Sequence, residues 1–194
     1  FAQRAFESGN DYWGWRYLSR GSHYLADLGN PFHVKALPGW LLMKKVFSSR
    51  ELFNIVSAVH QSYEVYVERR FREAFGPFKQ ALLQGAREGQ CGRGDIQAQL
   101  TTYIQRAEKR HNPIFYYLFD RFGRELLSAF DQMDANSQLD ASIQTNRCSA
   151  DAARVIFKET NLSKLDFLDR ITGEILFDVG RMLGLLFAGF SSKS

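Results

Sequence analysis

A chain of 194 residues is long enough to bury a sizeable core, and 45% hydrophobic with 24% charged residues excludes both a disordered tail and a membrane bundle. Four Pro and fifteen Gly are too few for a turn-rich sandwich or barrel, while seventeen Phe, eight Tyr and three Trp give an unusually aromatic interior. The net charge of +4 arises in residues 1–90, with 12 basic and eight acidic groups against 13 of each in the remainder, a mild bias far below the footprint of a dedicated nucleic-acid binder.

In chain order, the first helical pattern runs from Asp11 to Leu28, with Asp11 as N-cap and Tyr12, Trp15, Ser19, His23 and Asp27 on nearly one face. Gly29-Asn30-Pro31 stops it, because Pro disfavours helical geometry in the residue before it. A loop through Leu37-Pro38-Gly39 leads to a helix from about Arg50 to Phe75, capped by Ser49. Its expected buried side is Phe53, Val56, His60, Tyr63, Val67 and Phe71. Gly76-Pro77 punctuates this helix, Phe78 to Ala86 continues it, and the four glycines between Gly85 and Asp95 read as a loop. Ile96 to His111 and Pro113 to Met133 read as two helices, the second opened by Pro at its first turn. Residues 131–150 are polar, a surface excursion or a partly disordered loop, and helical pattern resumes over Asp151 to Thr160. The last segment, Ser163 to Phe190, sets Leu165, Leu168, Ile171, Ile175, Val179, Met182, Leu183 and Leu186 in one stripe. No alternating strand and no internal repeat occurs, so the fold class is all-α, a single multi-helix domain over residues 1–194.

Ile171 to Phe190 is the most apolar stretch, but Glu174, Asp178 and Arg181 interrupt it, so no transmembrane segment is expected. Its apolar stripe either closes the bundle or touches a lipid interface. The polar face carries too little Lys and Arg for the second, so packing is favoured. Cys91 and Cys148 share no CxxC spacing, leaving one disulfide or two free thiols equally open.

Three of the four histidines fall within 38 residues. His23 and Asp27 are spaced i, i+4, and so are His60 and Glu64 on a second helix; each pair projects from one face about a turn apart. His33 follows Pro31 in the turn leaving the first helix. Imidazole nitrogen and carboxylate oxygen satisfy zinc at tetrahedral angles, and two such pairs with a third His can supply them. The bland alternative is solvated or core His–carboxylate pairs, since a buried His beside a buried acid is paired or ligated in either case. Trp13, Tyr24, Tyr63 and Tyr66 suggest that these pairs are buried. His111, preceded by Lys109-Arg110 and followed by Asn112-Pro113, reads as a solvated helix end. Serine-hydrolase elbows, phosphate loops and dinucleotide glycine motifs do not occur.

The segment Ser22-His23-Tyr24-Leu25-Ala26-Asp27-Leu28-Gly29-Asn30-Pro31-Phe32-His33 resembles the His-Tyr-x-x-Asp, three residues, Pro-x-His segment of the zinc-dependent phospholipase C and fungal single-strand nuclease superfamily, and His60-Gln-Ser-Tyr-Glu64 is similar to its later His-x-x-x-Glu/Asp helix. The resemblance covers residues 11–67. It implies an all-α bundle of the zinc-dependent phospholipase C type with one to three zinc ions. His23 would ligate one zinc of a close pair, Asp27 would bridge the pair and take part in catalysis, and His33, His60 and Glu64 would hold a further zinc. It also implies phosphodiester hydrolysis by metal-bound hydroxide, acting on phospholipid or single-stranded nucleic acid. Peripheral membrane contact and a location outside the cytoplasm go with the superfamily.

Two departures shape the expectation. The superfamily places further ligands well upstream, whereas 22 residues precede His23 here and none is His. Either a portion lies ahead of Phe1, or only the His33, His60, Glu64 site is kept. The 26-residue gap from His33 to His60 is nearer the nuclease side, and its insert carries Lys35, Trp40, Lys44, Lys45 and Arg50. Lys35 and Trp40 are the expected substrate contacts, gripping a phosphate and a base or headgroup; ordinary packing of Trp40, Leu41 and Leu42 is the alternative. From another class, the rival function is a non-catalytic helical module with one structural zinc or none.

Overall fold

A computed structural model of the chain describes residues 1–35, 37–39, 49–92, 94–134 and 165–191. Every regular element among them is helical: α1 (Ala2–Glu7), α2 (Asp11–Asp27), α3 (Pro31–Val34), α4 (Ser49–Arg72), α5 (Gly76–Cys91), α6 (Ile96–Asp134) and α7 (Asp166–Ser191). The all-α class therefore holds. The chain divides into two compact units: residues 1–34, 76–108 and 171–194 in the first, residues 35–75 and 109–170 in the second.

In the first unit, Phe6 of α1 lies edge-on to Trp15 at 5.3 Å and to Phe190 at 6.1 Å. Asn10 caps α2, its side chain accepting the Trp13 N–H at 3.4 Å, in place of the expected Asp11. The buried positions of α2 are Gly14 and Leu18, so Tyr12 and Trp15 of the expected face are 64% and 61% exposed. Helix α2 thus forms as expected and turns Tyr12, Trp13, Tyr17 and Tyr24 outward.

The glycine-rich stretch expected as a loop is helix α5 as far as Cys91, and Gly85 and Gly89 are buried in it. A Cβ at Gly85 would lie 2.0 Å from the Phe177 carbonyl oxygen, and one at Gly89 would lie 2.0 Å from that of Arg181. The contact is reciprocal: Cβ atoms at Gly180 and Gly184 of α7 would lie 2.1 Å from the carbonyl oxygens of Leu82 and Ala86. Glycines four apart on both helices let the backbones touch, and that packing outweighs the low helix propensity of Gly. Phe78, Tyr103, Ala107, Ile171, Ile175 and Met182 are buried in the same unit. Asp178, expected on a polar face, is buried and receives the Arg106 guanidinium at 2.9 Å.

In the second unit, α4 buries Ile55, Ala58, Val59, Ser62, Tyr63, Tyr66 and Arg70. The buried stripe is rotated from the expected one: Val56 and Val67 are half-buried, Phe71 is 41% exposed, and the Phe53 side chain lies outside the described residues. The helix ends at Arg72, ahead of Gly76-Pro77, with Ala74 in the left-handed region at φ 52° and the Phe75 N–H donating to the Arg70 carbonyl at 3.0 Å. Ile96 to Met133 is one helix and not two, with Pro113 inside α6. Pro113 removes one backbone bond, but its neighbours His111, Ile114, Phe115 and Leu118 are fully buried, and that packing holds the helix together. His111 is thus no solvated helix end: it is stacked on Phe115 at 5.8 Å and joined through Nδ1 to Asn112 Oδ1 at 3.0 Å.

Leu165, Leu168, Ile171, Ile175, Val179 and Met182 are buried as expected from the last apolar stripe, while Leu183 and Leu186 of the same stripe are half-buried. No helix of the described residues is long and apolar enough to cross a membrane. Of the polar segment expected over 131–150, residues 131–134 continue α6. Residues 135–150, the pattern over Asp151 to Thr160, and Cys148 lie outside the described residues. Cys91 is exposed with a free thiol.

Candidate metal centre

In the first unit the site is assembled by the end of α2 and the turn that leaves it. The i, i+4 spacing on α2 sets His23 Nε2 3.4 Å from Asp27 Oδ2. The helix stops because the Gly29 N–H turns back to the Ala26 carbonyl at 2.9 Å. Tyr103 pins this end of the helix from α6, its hydroxyl donating to the Leu25 carbonyl at 2.9 Å. Gly29 sits so close beneath that ring that a Cβ would lie 2.2 Å from the Tyr103 hydroxyl oxygen. Asn30 then starts α3: its side-chain oxygen accepts the Phe32 N–H at 3.1 Å and its carbonyl accepts the His33 N–H at 3.0 Å. Pro31 takes the first helical position, where a missing N–H costs nothing. Pro31 and Phe32 are buried as anchors, and the single turn of α3 aims His33 Nδ1 back to 3.8 Å from Asp27 Oδ1.

Asp27 therefore faces two imidazoles with its two oxygens, one each. Neither separation, 3.4 nor 3.8 Å, is a good direct hydrogen bond. Two ligands held at about 2.0–2.2 Å from one ion at tetrahedral angles stand roughly 3.3–3.6 Å apart; the His23–Asp27 separation lies in that range and the His33–Asp27 separation exceeds it. His23 is 71% exposed, and the neighbouring Trp13 and Tyr24 are 43% and 65% exposed, so the burial expected around this pair is absent.

In the second unit the same spacing on α4 puts His60 Nε2 3.0 Å from Glu64 Oε1, within hydrogen-bond range. The imidazole is 28% exposed and the carboxylate 48%. Tyr63 and Tyr66 are buried on this helix, as expected. Its rotation is fixed one and a half turns further on by a network with no local sequence signal. Arg70 donates two parallel bonds to Asp169 of α7, Nε to Oδ1 at 3.0 Å and an Nη to Oδ2 at 2.8 Å, while the Tyr66 hydroxyl donates to Asp169 Oδ1. The Arg70 guanidinium also lies over the Phe75 ring at 4.7 Å. Burial first, and the Asp169 carboxylate second, push the Tyr66 phenol well above its ordinary value.

Of the two expected substrate contacts, Lys35 is half-buried and Trp40 lies outside the described residues, as do Lys44 and Lys45. No family model matches the chain, and no curated protein or solved structure does either.

Proposed function

We propose that this chain is a zinc-dependent phosphodiester hydrolase with the bundle type of the zinc-dependent phospholipases C, acting on phospholipid or single-stranded nucleic acid. The observation that carries the reading is the Asp27 carboxylate, which faces His23 with one oxygen and His33 with the other at separations wider than hydrogen bonds. The motif resemblance over residues 11–67, which uses these same residues together with His60 and Glu64, supports it.

The motif resemblance assigns His23 and Asp27 to one ion, with Asp27 shared toward a second, and names His33, His60 and Glu64 as the ligands of a further zinc with a coordination position left open. Zinc bound there supplies a Lewis acid that acidifies water near neutral pH and offsets phosphate charge. The chain's own contribution is positional. Asn30 and Pro31 fix the direction of His33, Tyr103 fixes the end of α2, and the Arg70–Asp169 pair fixes the rotation of α4 that presents His60 and Glu64. Lys35 would contact the substrate phosphate, and Trp40 a base or headgroup.

The test is hydrolysis of bis(para-nitrophenyl) phosphate by the zinc-loaded chain. Turnover should disappear with a chelator, return with zinc, and fall by at least about a hundredfold in His60→Ala, with melting little changed. Absence of turnover in a zinc-loaded, folded chain contradicts the hydrolase. If His60→Ala then melts far lower, the protein is a helical module with a structural zinc.

A further inference from the structure

Helix α2 reverses the usual arrangement of an amphipathic helix. At 3.6 residues per turn, Tyr12, Trp13, Arg16, Tyr17, Arg20 and Tyr24 share one stripe about 18 Å long, opposite the buried Gly14 and Leu18. All six are exposed, the four rings from 38% at Tyr17 to 65% at Tyr24. Exposed aromatics concentrated in this way mark a surface with an occupant.

The stripe has a definite chemistry. Its rings are Trp and Tyr, apolar bodies with a polar edge, and no aliphatic side chain lies among them. Its charges are the guanidiniums of Arg16 and Arg20, and the one acid on the same positions, Asp27, lies at the far end against His23 and His33. The rings are already engaged with one another: Tyr12 is edge-on to Trp13 at 5.4 Å and Trp13 stacks on Tyr17 at 5.8 Å. Arg16 lies over Trp13 at 5.6 Å and donates to the Tyr12 hydroxyl at 2.9 Å. A packed cluster offers no slot for an inserted base, which argues against single-stranded nucleic acid. Trp and Tyr rings with interspersed Arg are the composition that settles at the headgroup level of a bilayer, where the rings meet the acyl boundary and the guanidiniums meet lipid phosphate.

We propose that this face of α2 docks the protein on an anionic phospholipid surface. The surface is separate from the apolar stripe of α7, and the proposal does not rest on the metal reading.

The experiment is co-sedimentation of the full chain with large unilamellar vesicles, either phosphatidylcholine alone or equimolar phosphatidylcholine and phosphatidylserine, with a chelator present throughout so that failure of the metal site leaves the result untouched. The chain should bind the phosphatidylserine vesicles at least about tenfold more tightly, with the preference falling as salt is raised. Arg16→Gln with Arg20→Gln should abolish the preference. Trp13→Ser with Tyr24→Ser should weaken binding to both vesicles at least about tenfold, with circular dichroism confirming that both variants fold. The proposal is overturned if the folded chain does not sediment with vesicles, if both variants bind like the wild type, or if oligothymidylate binds more tightly than vesicles at the same salt. It is also overturned if the aromatic variant dissociates a dimer that the wild type forms, since a second copy would then be the occupant.

Discussion

Asp169 accepts from three groups at once, two guanidinium N–H groups of Arg70 and the hydroxyl of Tyr66, and Arg70 has almost no solvent to fall back on at 7% exposure. Removing one partner of such a pair costs more than the pair contributes, because the remaining charge is left desolvated. Asp169→Ala should therefore lower stability by about 3 kcal/mol in urea denaturation, far beyond an exposed pair such as Arg72–Glu68. Tyr66 adds a pH signature. Its phenol is raised in the folded state, so stability is fully present below the unfolded value of about 10 and falls as pH rises beyond it, where the unfolded chain loses a proton that the folded chain keeps. Tyr66→Phe should flatten that alkaline slope; an unchanged slope would mean that Tyr66 is not held protonated. None of this was legible in the sequence. Arg70 and Asp169 are 99 positions apart, and an Arg among the acids of a helix reads as solvated. His23–Asp27 and His60–Glu64 were legible because their pairing is local, four residues along one helix.

At the scale of elements, sequence patterning succeeded where one physical effect dominated and failed where two competed. The apolar stripe of α7 is long and aliphatic, and its burial follows. Gly85 to Cys91 read as loop because Gly has low helix propensity, yet backbone contact with α7 requires Gly there. Pro113 read as a boundary, yet buried neighbours on both sides hold α6 through it. On α2 the aromatic residues look like core and are surface, because Gly14 and Leu18 form the packed side. Two glycine substitutions of identical chemistry have opposite expected outcomes. Gly21 on exposed α2 has nothing within 4 Å of an added Cβ, so Gly21→Ala should stabilise by up to about 1 kcal/mol. Gly89→Ala gains the same propensity but drives a Cβ to 2.0 Å from the Arg181 carbonyl oxygen, and neither backbone can yield cheaply. It should destabilise by at least about 2 kcal/mol. Thermal denaturation of both variants checks the contrast, and equal shifts would refute close packing of α5 on α7.

For the whole molecule, helices that serve packing also carry chemistry at their edges. Helix α2 buries one side, offers an aromatic and basic stripe on the other, and ends at His23 and Asp27, where Asn30 and Pro31 return His33 to the same carboxylate. Helix α4 presents His60 and Glu64 away from its buried stripe. The proposal at stake is that zinc is held by the His23, Asp27 and His33 set and by the His60–Glu64 pair. Metal content by plasma mass spectrometry, after zinc loading and exhaustive dialysis, tests it most directly in the wild type, His33→Ala and His60→Ala. At least about one zinc per wild-type chain is expected, with loss of an ion of the same stoichiometry in each variant. A folded wild type that retains no zinc, or variants that both keep the full complement, would contradict it.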